Sequence, residues 1–168
     1  PSACNLDFEL LDFLVKKFKK KIHVSLGMTS KKEISKIYNF FKKNKRLKDL
    51  ILYACTSKYP VNYKDLCLLE ILNLKEKYER YIDAVSFSGH HRGIAVDMAA
   101  LTLGAKYFER HFTLDRTLKG TDHAASLEAD GLSKLVRDLN NTFDSLTFKP
   151  TKILDAEKEQ RKKLKRIF

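Results

Sequence analysis

A chain of 168 residues, 43% hydrophobic and 32% charged, carries enough apolar material for one domain with a core and too much for a disordered polypeptide. No apolar run approaches the roughly 20 residues of a membrane-spanning helix, and no secretory leader pattern opens the sequence, so no membrane partner is expected. The net charge of +12 raises the question of a nucleic-acid partner, but the lysines sit on helix faces (KKFKKK, FKKNKRLK) and in the terminal EKEQRKKLKRIF without any nucleic-acid motif; they read as solvated surface.

In chain order, Leu6–Lys19 carries an apolar stripe at helical spacing. A short strand follows, Ile22–Ser25, stopped by Gly27. Thr29 and Ser30 are cap candidates for a helix over Lys31–Asn44. Leu50–Ala54 is the second strand, broken by YPVNY, with a helix from about Lys64 to Tyr78. IDAVSFS is the third strand, Gly89–Gly93 a loop, and Ile94–Leu103 a helix of small residues. AKYFERHF is the fourth strand, followed by a polar loop over Thr113–Glu128 and an amphipathic helix over about Asp130–Asn141.

Strands alternating with helices predict right-handed βαβ units and a parallel sheet, covered on both faces, with continuously apolar strands. A doubly wound sheet and a (β/α)8 barrel both satisfy the pattern; no GxGxxG follows a strand, so a dinucleotide fold has no support. Cys4, Cys55 and Cys67 are odd in number and lack CxxC spacing. They read as buried free thiols in a reducing, cytoplasmic compartment, not as a disulfide framework or a zinc site. The chain opens at Pro1 and not at Met, which reads as processed, trimmed or partial.

Chemistry in such folds gathers where the strands end. The first strand ends at Ser25 and Gly27, the second at Thr56, Ser57 and Tyr59, the third at Ser88, His90 and His91, and the fourth at His111, with Asp115, Asp122 and His123 beyond it. Small hydroxyls and loop N–H groups suit a phosphate. His90 and His111, on adjacent strands about 4.8 Å apart, suit a divalent metal; hydrogen-bonded loop histidines are the plainer alternative, since neither HxH nor HExxH is present.

The stretch FSGHHRGIAVDMAALTLGAKYFERHFTLDRTLKGTDHAASLE, together with CTSKYP and the opening PSACN, closely resembles the sialic acid synthase (NeuB-type) family over most of the chain, to about Asp155. The resemblance implies a phosphoenolpyruvate-dependent transferase that condenses phosphoenolpyruvate with the open-chain aldehyde of an N-acyl sugar such as N-acetylmannosamine or its 6-phosphate. It implies a (β/α)8 TIM barrel, present here as about strands five to eight, over residues 1–148. Residues 149–168 would be a basic tail or linker toward an antifreeze-like domain. It implies His90 and His111 as ligands of Mn2+ or Mg2+, the metal polarising the aldehyde for attack by C3 of phosphoenolpyruvate before water adds at C2 and phosphate leaves. By the same match Ser2, Ser25, Ser57 and Ser88 hold phosphoenolpyruvate, and Tyr59 and Asp122 contact the sugar.

The departures are Cys4 in place of a usual acidic sugar contact, His91 in place of a Thr or Glu, and Gly89 in place of the Asp of many bacterial members. The family's acidic general base and a phosphoenolpyruvate-gripping lysine belong to strands this chain does not contain. The expectation is therefore a chain inactive alone, exposing sheet edges at Ile22–Ser25 and Lys106–Arg110, and acting as a homodimer or with a complementing half barrel. The alternative expectation is a basic, non-enzymatic half-barrel binding module completed by a partner chain.

Overall fold

The computed structural model describes residues 1–166. Four runs rich in branched and aromatic residues form strands: β1 (Ile22–Ser25), β2 (Leu50–Cys55), β3 (Ala84–Gly89) and β4 (Phe108–Arg110). All pair in parallel in the order β1-β2-β3-β4. Around and between them lie α1 (Phe8–Lys17), α2 (Lys31–Lys43), α3 (Glu70–Tyr78), α4 (Ala95–Thr102), α5 (Ala129–Ser145) and α6 (Asp155–Leu164). An order without reversal separates the two topologies that the alternation alone left open, in favour of the barrel the resemblance implied. A doubly wound sheet needs a switch point, whereas successive right-handed crossovers that step one way place every connecting helix on the same face. The strands curl into half of a (β/α)8 barrel.

The main core lies between this outer face and the helices. Ile22, Val24, Leu50, Leu52, Ala54, Val85 and Phe87 meet Leu11 and Val15 of α1, Ile34, Ile37 and Phe41 of α2, Ile71 and Leu74 of α3, and Ala100 of α4. The inner face differs. Ile51, Tyr53 and Ala84 form a small separate apolar cluster joined by Tyr107, and toward the strand ends this face turns polar. The expectation of continuously apolar strands is corrected here. β2 and β3 are buried along nearly their whole length, yet the buried inward residues Ser86 and Ser88 alternate with Val85 and Phe87. Only the outer face packs on helices, so only it must be apolar.

Several boundaries move for local reasons. Asp7 caps α1 by accepting from the Leu10 N–H, which starts the helix at Phe8. Ser30 and Glu33 form a full capping box on α2, as Ser30 in the sequence suggested. The helix expected from Lys64 starts only at Glu70, because a 3-10 turn at Tyr63–Asp65 and a left-handed Cys67 (φ 48°) precede it. The fourth strand is shorter than AKYFERHF, and Phe112 instead bridges to Leu127. α5 runs on to Ser145, and the tail carries α6, which buries none of its residues.

Phe41 is completely buried in the α2–sheet interface. Phe41→Ala is expected to lower stability by about 3–5 kcal/mol, against about 1 kcal/mol for the cap variant Ser30→Ala. Urea unfolding followed by circular dichroism measures both.

Candidate active site at the strand ends

Parallel register and a side-chain period of two stack the inward residues in layers. Cys55 pairs with Ser88, and Ser88 with Glu109, so these three form one rung across β2, β3 and β4. Two residues further along each chain stand Ser57, His90 and His111. Of the expected site residues, Ser2, Ser25, Tyr59, Ser88, His90, His111 and Asp122 line a single cavity of about 500 Å³, together with Glu109, Tyr53 and His23. Ser57 is not in that lining, but it stands beside it, 3.9 Å from Cys55 Sγ.

The serines cluster around a glycine. Ser2 Oγ donates to Ser25 Oγ at 2.9 Å. The Ser2–Cys4 turn is held over β1 by the buried Asn5, whose amide donates to the Ser25 carbonyl at 2.8 Å and to Thr29 Oγ1 at 2.5 Å. A Cβ on Gly27 would lie 2.0 Å from Ser57 Oγ and 2.6 Å from Ser2 Oγ, so glycine here keeps the hollow between the hydroxyls open. Ser88 donates to Glu109 at 2.5 Å.

One ligand atom each from His90, Glu109 and His111 can lie within 4.8 Å of one another, a separation suited to one metal ion. The two imidazoles meet nearly edge to face, with centroids 5.0 Å apart and planes at 88°. His90 Nδ1 lies 2.9 Å from the Thr56 carbonyl, which can only accept. The proton therefore sits on Nδ1 and the lone pair on Nε2. Asp122 Oδ2 lies 3.3 Å from His111 Nδ1 and favours the same tautomer there. Carboxylates and carbonyls behind imidazoles orient metal-binding histidines in this way. Tyr59 covers both rings, with centroids 4.3 Å from His90 and 5.3 Å from His111. The Val61 N–H donates to the His90 carbonyl at 3.0 Å and ties the Tyr59 loop to it.

Glu109 was missing from the sequence reading. The signal for it was alternation: it precedes the inward His111 by two residues on the same strand. Cys55 was missed for the same reason. The expected buried thiols are corrected: Cys4 and Cys55 are partly buried and Cys67 is exposed, although all three are free. Cys4 takes no part in lining the cavity. Cys55 lies 3.8 Å from Ser2 Oγ and 4.0 Å from His90 Nδ1. Burial pushes its pKa up, but hydrogen bonds from His90, Ser25 and Ser88 outweigh burial and bring it down to about 7. His90 shows the reverse balance. Burial works against its charge, yet Cys55, the Thr56 carbonyl and Glu109 hold its pKa above the ordinary 6.5.

The sequence model of the NeuB family matches residues 1–150. The chain belongs to the NeuB family. It is 34% identical over 158 residues to the N-acetylneuraminate-9-phosphate synthase of Homo sapiens, covering 94% of this chain and 43% of that protein. It is 38% identical over 122 residues to the N,N'-diacetyllegionaminic acid synthase of Campylobacter jejuni subsp. jejuni, covering 72% of this chain and 36% of the relative. A crystal structure of the N-acetylneuraminic acid (sialic acid) synthetase of Leptospira borgpetersenii serovar Hardjo-bovis, in complex with citrate, superposes with a TM-score of 0.80 at 32% identity. That match covers 99% of this chain and 57% of the other. This NeuB chain thus spans less than half the length of the two curated relatives.

The depressed Cys55 pKa has a direct readout. A lowered value keeps the nucleophilic thiolate present from about pH 7 upward and removes it as pH falls below 7. Iodoacetamide labelling of Cys55, followed by peptide mass spectrometry, should show its rate midpoint near pH 7. His90→Ala should move that midpoint upward, since His90 is the strongest of the groups lowering it.

Proposed function

We propose that this chain provides the metal and phosphoenolpyruvate side of a nonulosonic acid synthase site. The single observation that carries the reading is the convergence, in one cavity, of a His90–Glu109–His111 cluster and the hydroxyls of Ser2, Ser25 and Ser88. The synthases named among its relatives support the same chemistry.

In this reading Ser2, Ser25, Ser57 and Ser88 donate to the phosphate and carboxylate of phosphoenolpyruvate, in the hollow that Gly27 leaves open. Tyr59 and Asp122 contact an N-acyl hexosamine such as N-acetylmannosamine or its 6-phosphate. Tyr59 lies over the two rings and shields them from bulk water, and Asp122 has a second oxygen beyond the one facing His111. The donor set fits a divalent ion of the Mn2+ or Mg2+ kind: two imidazoles with Nε2 lone pairs free and one carboxylate. Bound there, the ion would supply Lewis-acid polarisation of the sugar aldehyde. Glu109, held by Ser88, brings its carboxyl group beside both imidazoles. The chain's own contribution is thus to bind and orient. The general base and the phosphoenolpyruvate-gripping lysine are assigned to the barrel's other half, and residues 149–168 to a linker toward a further domain.

β1 and β4 each have a side without a strand partner among the described residues. Leu10 and Phe13 on α1 and Phe18 just after it are exposed, and Phe18 lines a surface hollow with Ile22 and His23 of β1. We infer that a second half barrel covers these edges, either from the rest of a longer chain or from another copy. The free cysteines support a reducing, cytoplasmic setting. No helix among the described residues is long and apolar enough to cross a membrane.

The purified chain should bind Mn2+, and His90→Ala or His111→Ala should abolish that binding, as followed by the free-ion signal in electron paramagnetic resonance. Because the His90 pKa is raised, protons compete with the metal above the ordinary imidazole range. Affinity should fall as pH drops, starting above 6.5. Retention of Mn2+ by both alanine variants would remove the metal assignment. Assayed with metal, phosphoenolpyruvate and N-acetylmannosamine, the chain alone should show no turnover; robust turnover would show that this half suffices.

A further inference from the structure

On the opposite side of the same two strands, the residues next to the two histidines are joined to each other. His91 follows His90 and Arg110 precedes His111, so alternation turns both outward, away from the cavity. There they meet Asp97 in the first turn of α4. His91 is 1% exposed and Asp97 is fully buried, and the Arg110 side chain is 2% exposed. Arg110 Nη1 donates to Asp97 Oδ2 at 2.5 Å and to the Gly93 carbonyl at 3.0 Å, and Nη2 donates to the His91 carbonyl at 2.7 Å. His91 Nε2 lies 3.2 Å from Asp97 Oδ2. One guanidinium therefore grips the loop that leaves His90, the helix that follows the loop, and the strand that carries His111.

The room for this grip is built in. Gly89 pairs with Arg110 across the sheet, and a Cβ there would lie 3.0 Å from the His91 ring and 3.1 Å from Arg110 Cδ. The grip is also incompletely satisfied. His91 Nδ1, Asp97 Oδ1 and Arg110 Nε are buried without a partner. A buried charge pair with orphaned polar atoms is a poor way to add stability, and apolar side chains of similar volume would serve packing better. What the arrangement provides is a fixed distance between two strand ends.

We propose that Arg110, with Asp97 and His91, is a positioning clamp that holds His90 and His111 at the separation a shared ligand requires. This rests on the metal reading above and adds residues that touch neither metal nor substrate. Arg110 sets the height of the His111 strand against the His90 loop, and Asp97 holds the guanidinium in the plane that reaches both carbonyls. His91 fills the space beneath Gly89.

Arg110→Met and Asp97→Asn should each weaken Mn2+ binding to the chain by about 10-fold or more. Arg110→Lys, which keeps the charge and loses the fork, should fall between them and the wild type. Phe41→Ala serves as the comparison, because it destabilises a distant part of the same core and should leave Mn2+ affinity unchanged within about twofold. Nitrogen-15 spectra of the metal-free imidazoles form a second arm. His90 and His111 should each give one sharp Nδ1–H tautomer in the wild type and broadened or mixed signals in the clamp variants. Wild-type affinity together with sharp signals in folded Arg110→Lys or Asp97→Asn would overturn the clamp, as would an equal loss in Phe41→Ala. A wild-type chain that fails to bind Mn2+ while keeping clamp-dependent tautomers would sink the metal reading and leave the clamp standing.

Discussion

Parallel pairing of β3 with β4, with Ser88 opposite Glu109, sets where His90, Glu109 and His111 stand relative to one another. From that rung the period of two puts His90 and His111 one layer higher on the same face, and puts His91 and Arg110 on the other. A one-residue slip of β4 in this register would turn His111 to the outer face and aim Arg110 into the cavity, while His90 stayed where β3 holds it. The outer face resists such a slip because Val85 and Phe87 are already packed against the helices. The apolar core thus acts as the registration device for a polar face that has little packing of its own.

The two faces illustrate different uses of buried polarity. Inside, hydroxyls, a thiol, a carboxylate and two imidazoles lie close enough to shift one another. The Cys55 pKa drops to about 7 although burial alone would raise it, because His90, Ser25 and Ser88 stabilise the thiolate. Outside, the Arg110 and Asp97 side chains are almost wholly buried, and their mutual attraction works against the cost of that burial. The inner groups remain reachable from solvent and adjustable by ligand. The outer groups are locked.

Much of this arrangement was readable along the chain. Apolar periodicity located the strands and most helices, and SFSGH and YFERH each place a histidine two residues after an inward polar group. Extending the same alternation finds Glu109 from His111 and Cys55 from Ser57. Helix starts were less readable: α3 begins late because Cys67 adopts a left-handed conformation that no periodicity announces. The continuity of apolar residues in the strands was misread as two covered faces, since a buried serine facing a cavity and a buried leucine facing a helix look alike in a linear burial pattern.

The sequence by itself determined the alternation of strands and helices, the polar residues delivered to the strand ends, and the motifs that mark the family, because each of these is written in spacings of a few residues. The alternation alone did not choose between an open doubly wound sheet and a curled half barrel; the family motifs implied the barrel, and the order in which the strands become neighbours shows it. Only the tertiary structure brought Asp122 to His111 and Asp97 to Arg110. Contacts of that kind depend on the path of a loop and the rotation of a helix about its axis, and these are set by packing across the whole sheet.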